Sequence, residues 1–177
     1  MRDVEVVRIG ADGFGAVAEG LAEVLVDAVA GGASMGFLLP FGLAEARVWW
    51  SGVEPSVVGG RTVLWVARDG SGVAGTVQLK LELEYPNGRH RAEVAKFMVA
   101  SRARGRGVGR ALLGAVEAAA AGLGVSLLVL DTETGSPAEG LYRSAGWVEL
   151  GVMPGHSADP WSVLRPTTFF YKQLPGV

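Results

Sequence analysis

Between residues 14 and 30, apolar side chains recur at helical spacing: Phe14, Val17, Leu21, Val24, Leu25 and Ala28. Positions three and four apart share one helix face, so this stretch predicts a helix. Gly31-Gly32 ends it. Ahead of it, residues 3–9 alternate apolar and polar in part, which predicts a strand. Phe37-Leu38-Leu39-Pro40 makes an apolar loop, and a second helix is expected at about 42–52, carrying Val48, Trp49 and Trp50. After the Gly59-Gly60 turn, residues 62–68 and 73–83 predict a hairpin across Asp69-Gly70-Ser71-Gly72. Tyr85-Pro86-Asn87-Gly88 is a further turn signal, and a strand is expected at 91–99. A glycine-rich turn and an Ala/Leu-rich helix at 107–122 follow. Residues 125–130 form a short valine and leucine run, the pattern of a buried strand. A short helix is expected at 136–145, with Pro137 in its first turn. Residues 147–152 and 167–174 close the chain as strands.

The predicted order is β-α-α-β-β-β-α-β-α-β-β. Antiparallel hairpins come first, and a β-α-β crossover carries the glycine turn. That is a mixed α/β sheet, not a doubly wound parallel one. No internal repeat, low-complexity segment or linker interrupts the chain, so residues 1–177 are expected to form a single domain.

Composition narrows the chemistry. With 49% hydrophobic and 19% charged residues, the chain can bury a core and is not of the disordered class. A net charge of −2 argues against a nucleic-acid partner. The absence of cysteine excludes disulfides, thiolate catalysis and thiolate-ligated metals. Two scattered histidines, His90 and His156, suggest no metal site. Residues 1–5 mix charged and apolar types without a signal-peptide core, and no apolar run approaches the roughly 20 residues of a membrane span. The expectation is a cytoplasmic protein with no membrane partner. Monomer and homodimer are both open.

Against this acidic background, arginines cluster around one motif, Arg104-Gly105-Arg106-Gly107-Val108-Gly109-Arg110. It lies between a predicted strand and a predicted helix. Backbone N–H groups at a helix start have no chain partner and favour negative charge, and glycine permits positive φ and close approach of a ligand. The motif therefore points to a phosphorylated ligand. A dinucleotide fingerprint would need glycine where Arg110 stands, and three antiparallel strands precede the turn. Asp131 does sit where a ribose-binding acid would, but that single agreement is outweighed. A Walker A loop would need Gly-Lys-Ser/Thr, which the chain lacks.

The pattern that fits is Arg-x-x-Gly-x-Gly at Arg104, Gly107 and Gly109. It resembles the pyrophosphate-binding turn of the GNAT superfamily of N-acetyltransferases. Downstream, Ser136-Pro137-Ala138-Glu139-Gly140-Leu141-Tyr142-Arg143-Ser144-Ala145-Gly146-Trp147 resembles the family's N-x-A-x-x-L-Y-x-x-x-G-F segment. Tyr142 matches its tyrosine, Gly146-Trp147 its Gly-Phe, and Ser136 replaces its asparagine. Within the superfamily, segments 32–37, 91–94, 130–136 and 165–167 look like those of the tabtoxin-resistance acetyltransferases, which acetylate an amine of a dipeptide-like toxin.

The resemblance implies a GNAT-type fold: a mixed, mostly antiparallel sheet of six to seven strands with helices on both faces. It implies acetyl-CoA as donor and a small-molecule amine as acceptor, with no metal. It places the coenzyme against Phe97, Met98 and Val99 through their backbone. It also places it against Arg104, Gly105, Arg106, Gly107, Val108, Gly109 and Arg110, and near Ser136. Direct attack by an amine needs a base for its proton and an acid at the leaving sulfur. The resemblance offers Tyr142 as the acid and Glu93 and Asp131 as acidic positions near the amine. Glu93 is expected to open its strand and Asp131 to end its own, with Glu133 as a possible substitute. The plainer roles are a core tyrosine and a turn or cap aspartate. Trp49 or Trp50 is expected to pack. His156, in a loop, and Trp161 are candidates for the acceptor pocket's border. The rival classes are a non-catalytic CoA-binding sensor and a protein N-terminal or lysine acetyltransferase.

Overall fold

The structure, a computed structural model, describes residues 4–175. The expected strand start at Asp3 lies outside the described residues. The elements are β1 (Glu5–Ile9), α1 (Phe14–Ala30), α2 (Leu43–Val58), β2 (Thr62–Asp69), β3 (Gly72–Leu81), β4 (Arg91–Val99), α3 (Val108–Gly122), β5 (Leu127–Glu133), α4 (Pro137–Ser144), β6 (Val148–Ala158) and β7 (Leu164–Gln173). Their order is the predicted one. One seven-stranded sheet runs β1-β2-β3-β4-β5-β7-β6, antiparallel everywhere except between β4 and β5. It is the mixed, mostly antiparallel sheet expected.

Burial follows from this order. Every residue of β3 from Ala74 to Leu79 is buried, which requires cover on both faces. α1 and α3 supply it. Gly20 of α1 lies against Val73, while Gly75 lies against Val108 and Leu112 of α3. α2 is pinned by Trp50, 1% exposed, whose indole N–H donates to the Leu21 carbonyl at 3.0 Å. Trp50 is thus the packing tryptophan of the pair.

Several boundaries differ from the sequence expectation. α2 continues past Gly52 to Val58 and carries Pro55 inside it; the carbonyl that Pro55 cannot satisfy belongs to Ser51, which faces solvent. β5 starts and ends later than expected. Val125 closes α3 by donating to the Ala120 carbonyl, and β7 pairs with β5 as far as Glu133. Asp131 therefore does not end its strand but sits two residues inside it. Glu93 does not open β4 but is its third residue. β6 runs through Pro154 and Gly155 to Ala158, with an irregular register between Met153 and Ser157. His156 belongs to that irregular part of a strand, not to a free loop.

Candidate active site

The parallel pair β4–β5 holds register only over Arg91↔Leu127, Ala92↔Leu128 and Glu93↔Val129. Beyond that the strands part. On its other side β4 stays paired with β3, through Met98↔Thr76 and Val99↔Gly75. From Val94 to Val99, then, one edge of β4 is bound to β3 and the edge toward β5 has no strand partner among the described residues. The result is a wedge-shaped cleft with backbone groups on its β4 wall.

A bulge shapes that wall. Gln78 pairs with Ala95 and Thr76 with Met98, so Lys96 and Phe97 face one residue of β3. Lys96 takes φ of 48°, uncommon for a residue with a side chain. The extra residue sends Lys96 to the α2 side and Phe97 to the α3–α4 face. Lys96 Nζ donates to the Met35 carbonyl at 2.7 Å and lies 5.2 and 5.6 Å from the ring centres of Trp49 and Phe37. Burial, then the neighbouring Lys80, pushes its pKa below the usual lysine value; Glu93 and Asp131 pull the other way. Glu93 and Asp131 are thus the acids whose charge is felt at Lys96.

Tyr142 approaches from the other face. Its ring, 3% exposed, packs against Phe97, Trp147 and Phe170 at centroid distances of 5.7, 5.8 and 6.0 Å. Burial, and next the charge of Asp131, drives the phenol pKa upward, so its proton is held throughout the neutral range. Asp131 is the group common to Tyr142 and Lys96, and it is itself exposed to the cleft. Glu133 has a buried Oε2 with no hydrogen-bond partner.

The glycine turn borders the same cleft. Ala111 N–H closes the first turn of α3 on the Gly107 carbonyl, and the N–H groups from Gly105 to Arg110 meet no backbone carbonyl among the described residues. Gly105 and Gly107 have φ of 71° and 80°, with open space where a Cβ would project. An open row of N–H donors at the start of a fifteen-residue helix fits a pyrophosphate. Gly109 is different: a Cβ there would stand 3.1 Å from both Phe97 and Leu141, so this glycine lets α3, β4 and α4 meet.

Each expected arginine has a partner inside the protein. Arg104 donates to the Val99 carbonyl at 3.2 Å, Arg106 to Asp69 at 3.2 Å, and Arg110 to Ser144 at 2.9 Å. Val108 is buried. Ser136 is the N-cap of α4, accepting from Glu139 N–H at 3.3 Å and bonding Thr132 at 3.1 Å. Glu139 then ties α4 to the sheet, accepting from Gly135 N–H at 2.6 Å and from Thr168 at 2.9 Å. His156 is exposed and edge-on to Phe169 at 5.2 Å, and Trp161 covers Gly32 with its ring. Lys96, Glu139 and Asp69 escape a reading of the chain. The signal available for Lys96 was a cation within the apolar second half of its strand, 94–99.

A family model, described as an acetyltransferase (GNAT) domain, matches residues 60–149, just over half of the chain. The chain belongs to the GNAT acetyltransferases. Its catalytic class is acetyl-CoA-dependent N-acetyl transfer, and the matched stretch contains the cleft, the glycine turn and Tyr142. Solved GNAT-type structures share the whole fold. A ribosomal-protein-alanine N-acetyltransferase from Brucella melitensis superposes with a TM-score of 0.75 at 24% identity, covering 96% of this chain and 99% of its own. A GNAT superfamily phosphinothricin acetyltransferase from Sinorhizobium meliloti, solved in complex with acetyl-CoA, has a TM-score of 0.77 at 21% identity, with coverages of 97% and 88%. An N-acetyltransferase from Staphylococcus aureus Mu50 has 0.77 at 16%, with 97% and 99%. Among the described residues of this GNAT enzyme, no cluster of three or more His, Cys, Asp or Glu is placed to hold a metal ion. None of its described helices is long and apolar enough to cross a membrane.

Proposed function

We propose that this acetyltransferase, acting as a single domain, transfers the acetyl group to a primary amine of a small molecule by direct attack. The acceptor class is an amino acid, a dipeptide-like toxin or an antibiotic. The observation that carries this is the splay between β4 and β5, with the free N–H groups of the turn on one side and Asp131 and Tyr142 beside it. Backbone N–H groups from Gly105 to Arg110 bind the pyrophosphate. The unpaired edge of Phe97, Met98 and Val99 receives the pantetheine arm as an added strand. Asp131 takes the proton of the cationic amine, directly or through water, with Glu93 beside it. As the C–S bond breaks, Tyr142 gives its proton to the leaving sulfur and recovers one from the attacking nitrogen, which loses its second proton as the amide forms.

An aromatic wall beside the cleft supports a small molecule. Phe37 packs at a tilt on Phe41 at 4.5 Å and meets Trp49 edge-on at 5.6 Å, which walls one side of the cleft above Lys96. The resemblance of segments 130–136 and 165–167 to the tabtoxin-resistance enzymes points the same way. The test is thiol release from acetyl-CoA over a panel of amino acids, dipeptides, polyamines and antibiotics, with an N-terminal peptide as the rival acceptor. Release with a small amine, cut by about 100-fold in kcat for Tyr142→Phe, is expected. Acetylation of the peptide alone would overturn the acceptor class. Tight CoA binding without release on any acceptor would leave a sensor.

A further inference from the structure

Between its anchors at Arg104 and at the Gly107 carbonyl, the glycine turn has little of its own to hold it. Gly105 and Gly107 stand in open space, and only Arg106 lies between them. What fixes that residue is Asp69, at the tip of the β2–β3 hairpin. Its carboxylate, only 2% exposed, accepts four hydrogen bonds from three residues. Ser71 N–H donates to Oδ1 at 2.9 Å. Arg102 Nη1 spans Oδ1 and Oδ2 at 3.0 and 2.9 Å. Arg106 Nη1 reaches Oδ2 at 3.2 Å. Arg102 Nη2 also donates to the Val73 carbonyl at 2.8 Å, on the other arm of the hairpin. A buried carboxylate with guanidinium groups on both oxygens is a directional joint, not a loose surface pair.

We infer that Asp69 is a positioning residue for coenzyme binding: through Arg102 and Arg106 it clamps the hairpin to the glycine turn and aims the turn's N–H groups at the pyrophosphate. The inference rests on the turn being the pyrophosphate site. Two effects of removing the carboxylate oppose each other. Loss of the clamp lets Gly105-Arg106-Gly107 sample many conformations, which weakens anion binding by the ordering it then requires. Loss of the negative charge frees two guanidinium groups, which would strengthen anion binding. The clamp dominates here, because N–H donors act only at hydrogen-bond range and in the right direction, whereas exposed guanidinium groups are screened by salt.

The experiment is calorimetry of CoA binding on the folded protein. Asp69→Asn is expected to raise Kd by roughly fivefold or more. The ligand-free unfolding temperature should move by no more than a few degrees, and the acceptor's KM should not move. Unchanged or tighter CoA binding would overturn the clamp. Arg106→Gln attacks the joint from the other side and serves if Asp69→Asn fails to fold. The double variant decides how Arg106 acts. If it works through Asp69, the second substitution adds nothing to the first; if the two losses multiply, Arg106 meets the phosphate on its own and the inference fails. Gly107→Glu is run alongside and should abolish CoA binding. Full affinity in that variant would remove the turn as the pyrophosphate site, a failure distinct from that of the clamp.

Discussion

Asp131 and Tyr142 come from opposite faces of the sheet, and the charge of Asp131 reaches the phenol where the sheet opens between them. Asp131 is on a strand whose alternate residues Leu128 and Leu130 are core, so its own side chain must point the other way, into the cleft. Asp131→Asn keeps the shape and removes the proposed base. It is expected to lower kcat by about 100-fold while CoA affinity by calorimetry stays within about twofold. Activity equal to that of the unaltered enzyme across the pH range would take Asp131 out of the mechanism. Lys96 supplies a pH test. Its folded pKa lies below the unfolded value, so the unfolded chain binds more protons between the two. Stability therefore rises with pH across that window, and the burial penalty on the charged amine is fully present below it. Denaturation followed from neutral pH up to the ordinary lysine pKa of about 10.4 should show this rise in the wild type and a flatter curve in Lys96→Met. Parallel curves would show that Lys96 is not the source.

At the scale of elements, the site depends on how α3, α4 and β4 come together. Gly109 is their meeting point. Gly109→Ala places a methyl group 3.1 Å from Phe97 and Leu141, which must shift to admit it. The expected loss is about 1 to 3 kcal/mol in urea unfolding, with weaker CoA binding, because Phe97 lies on the coenzyme wall. An unaltered midpoint would mean the contact is soft. α4 is set in place by polar contacts. Glu139 joins it to Gly135 and Thr168, and Arg143 bridges Glu139 and Glu149 at 3.0 and 2.6 Å. The next turn of the helix then carries Tyr142. The pattern of apolar positions predicted α1 at its observed limits, because its buried stripe is periodic and Gly31 follows it. It missed the part of α2 beyond Gly52, where apolar packing of Val57 overrides the cost of Pro55.

For the whole molecule, the cleft is a wedge cut into one sheet, with β1 to β4 on one side and β5, β7 and β6 on the other. A ligand laid along the free edge of β4 would join these halves, and it would bind only the folded chain. CoA at about 100 times its Kd should therefore stabilise the protein by about 2.7 kcal/mol, several degrees in unfolding temperature. Gly107→Glu should show no such shift. A shift retained in that variant would place the coenzyme elsewhere.

The sequence by itself determined the order of elements, the family and the turn. Helical and strand periods, glycine pairs and the Arg104–Gly109 pattern are local, and local chemistry is legible along a chain. Tertiary structure decided what distance along the chain conceals. Lys96 reads as one cation in a strand, and only the β3 register makes it the extra residue of a bulge facing Trp49. Asp69 reads as a hairpin residue, yet its partners are 33 and 37 positions away. Asp131 and Tyr142 are named by motif, but that they flank one cleft follows from where β4 and β5 cease to pair. Register between distant strands is set by the whole core at once, and no single segment carries it.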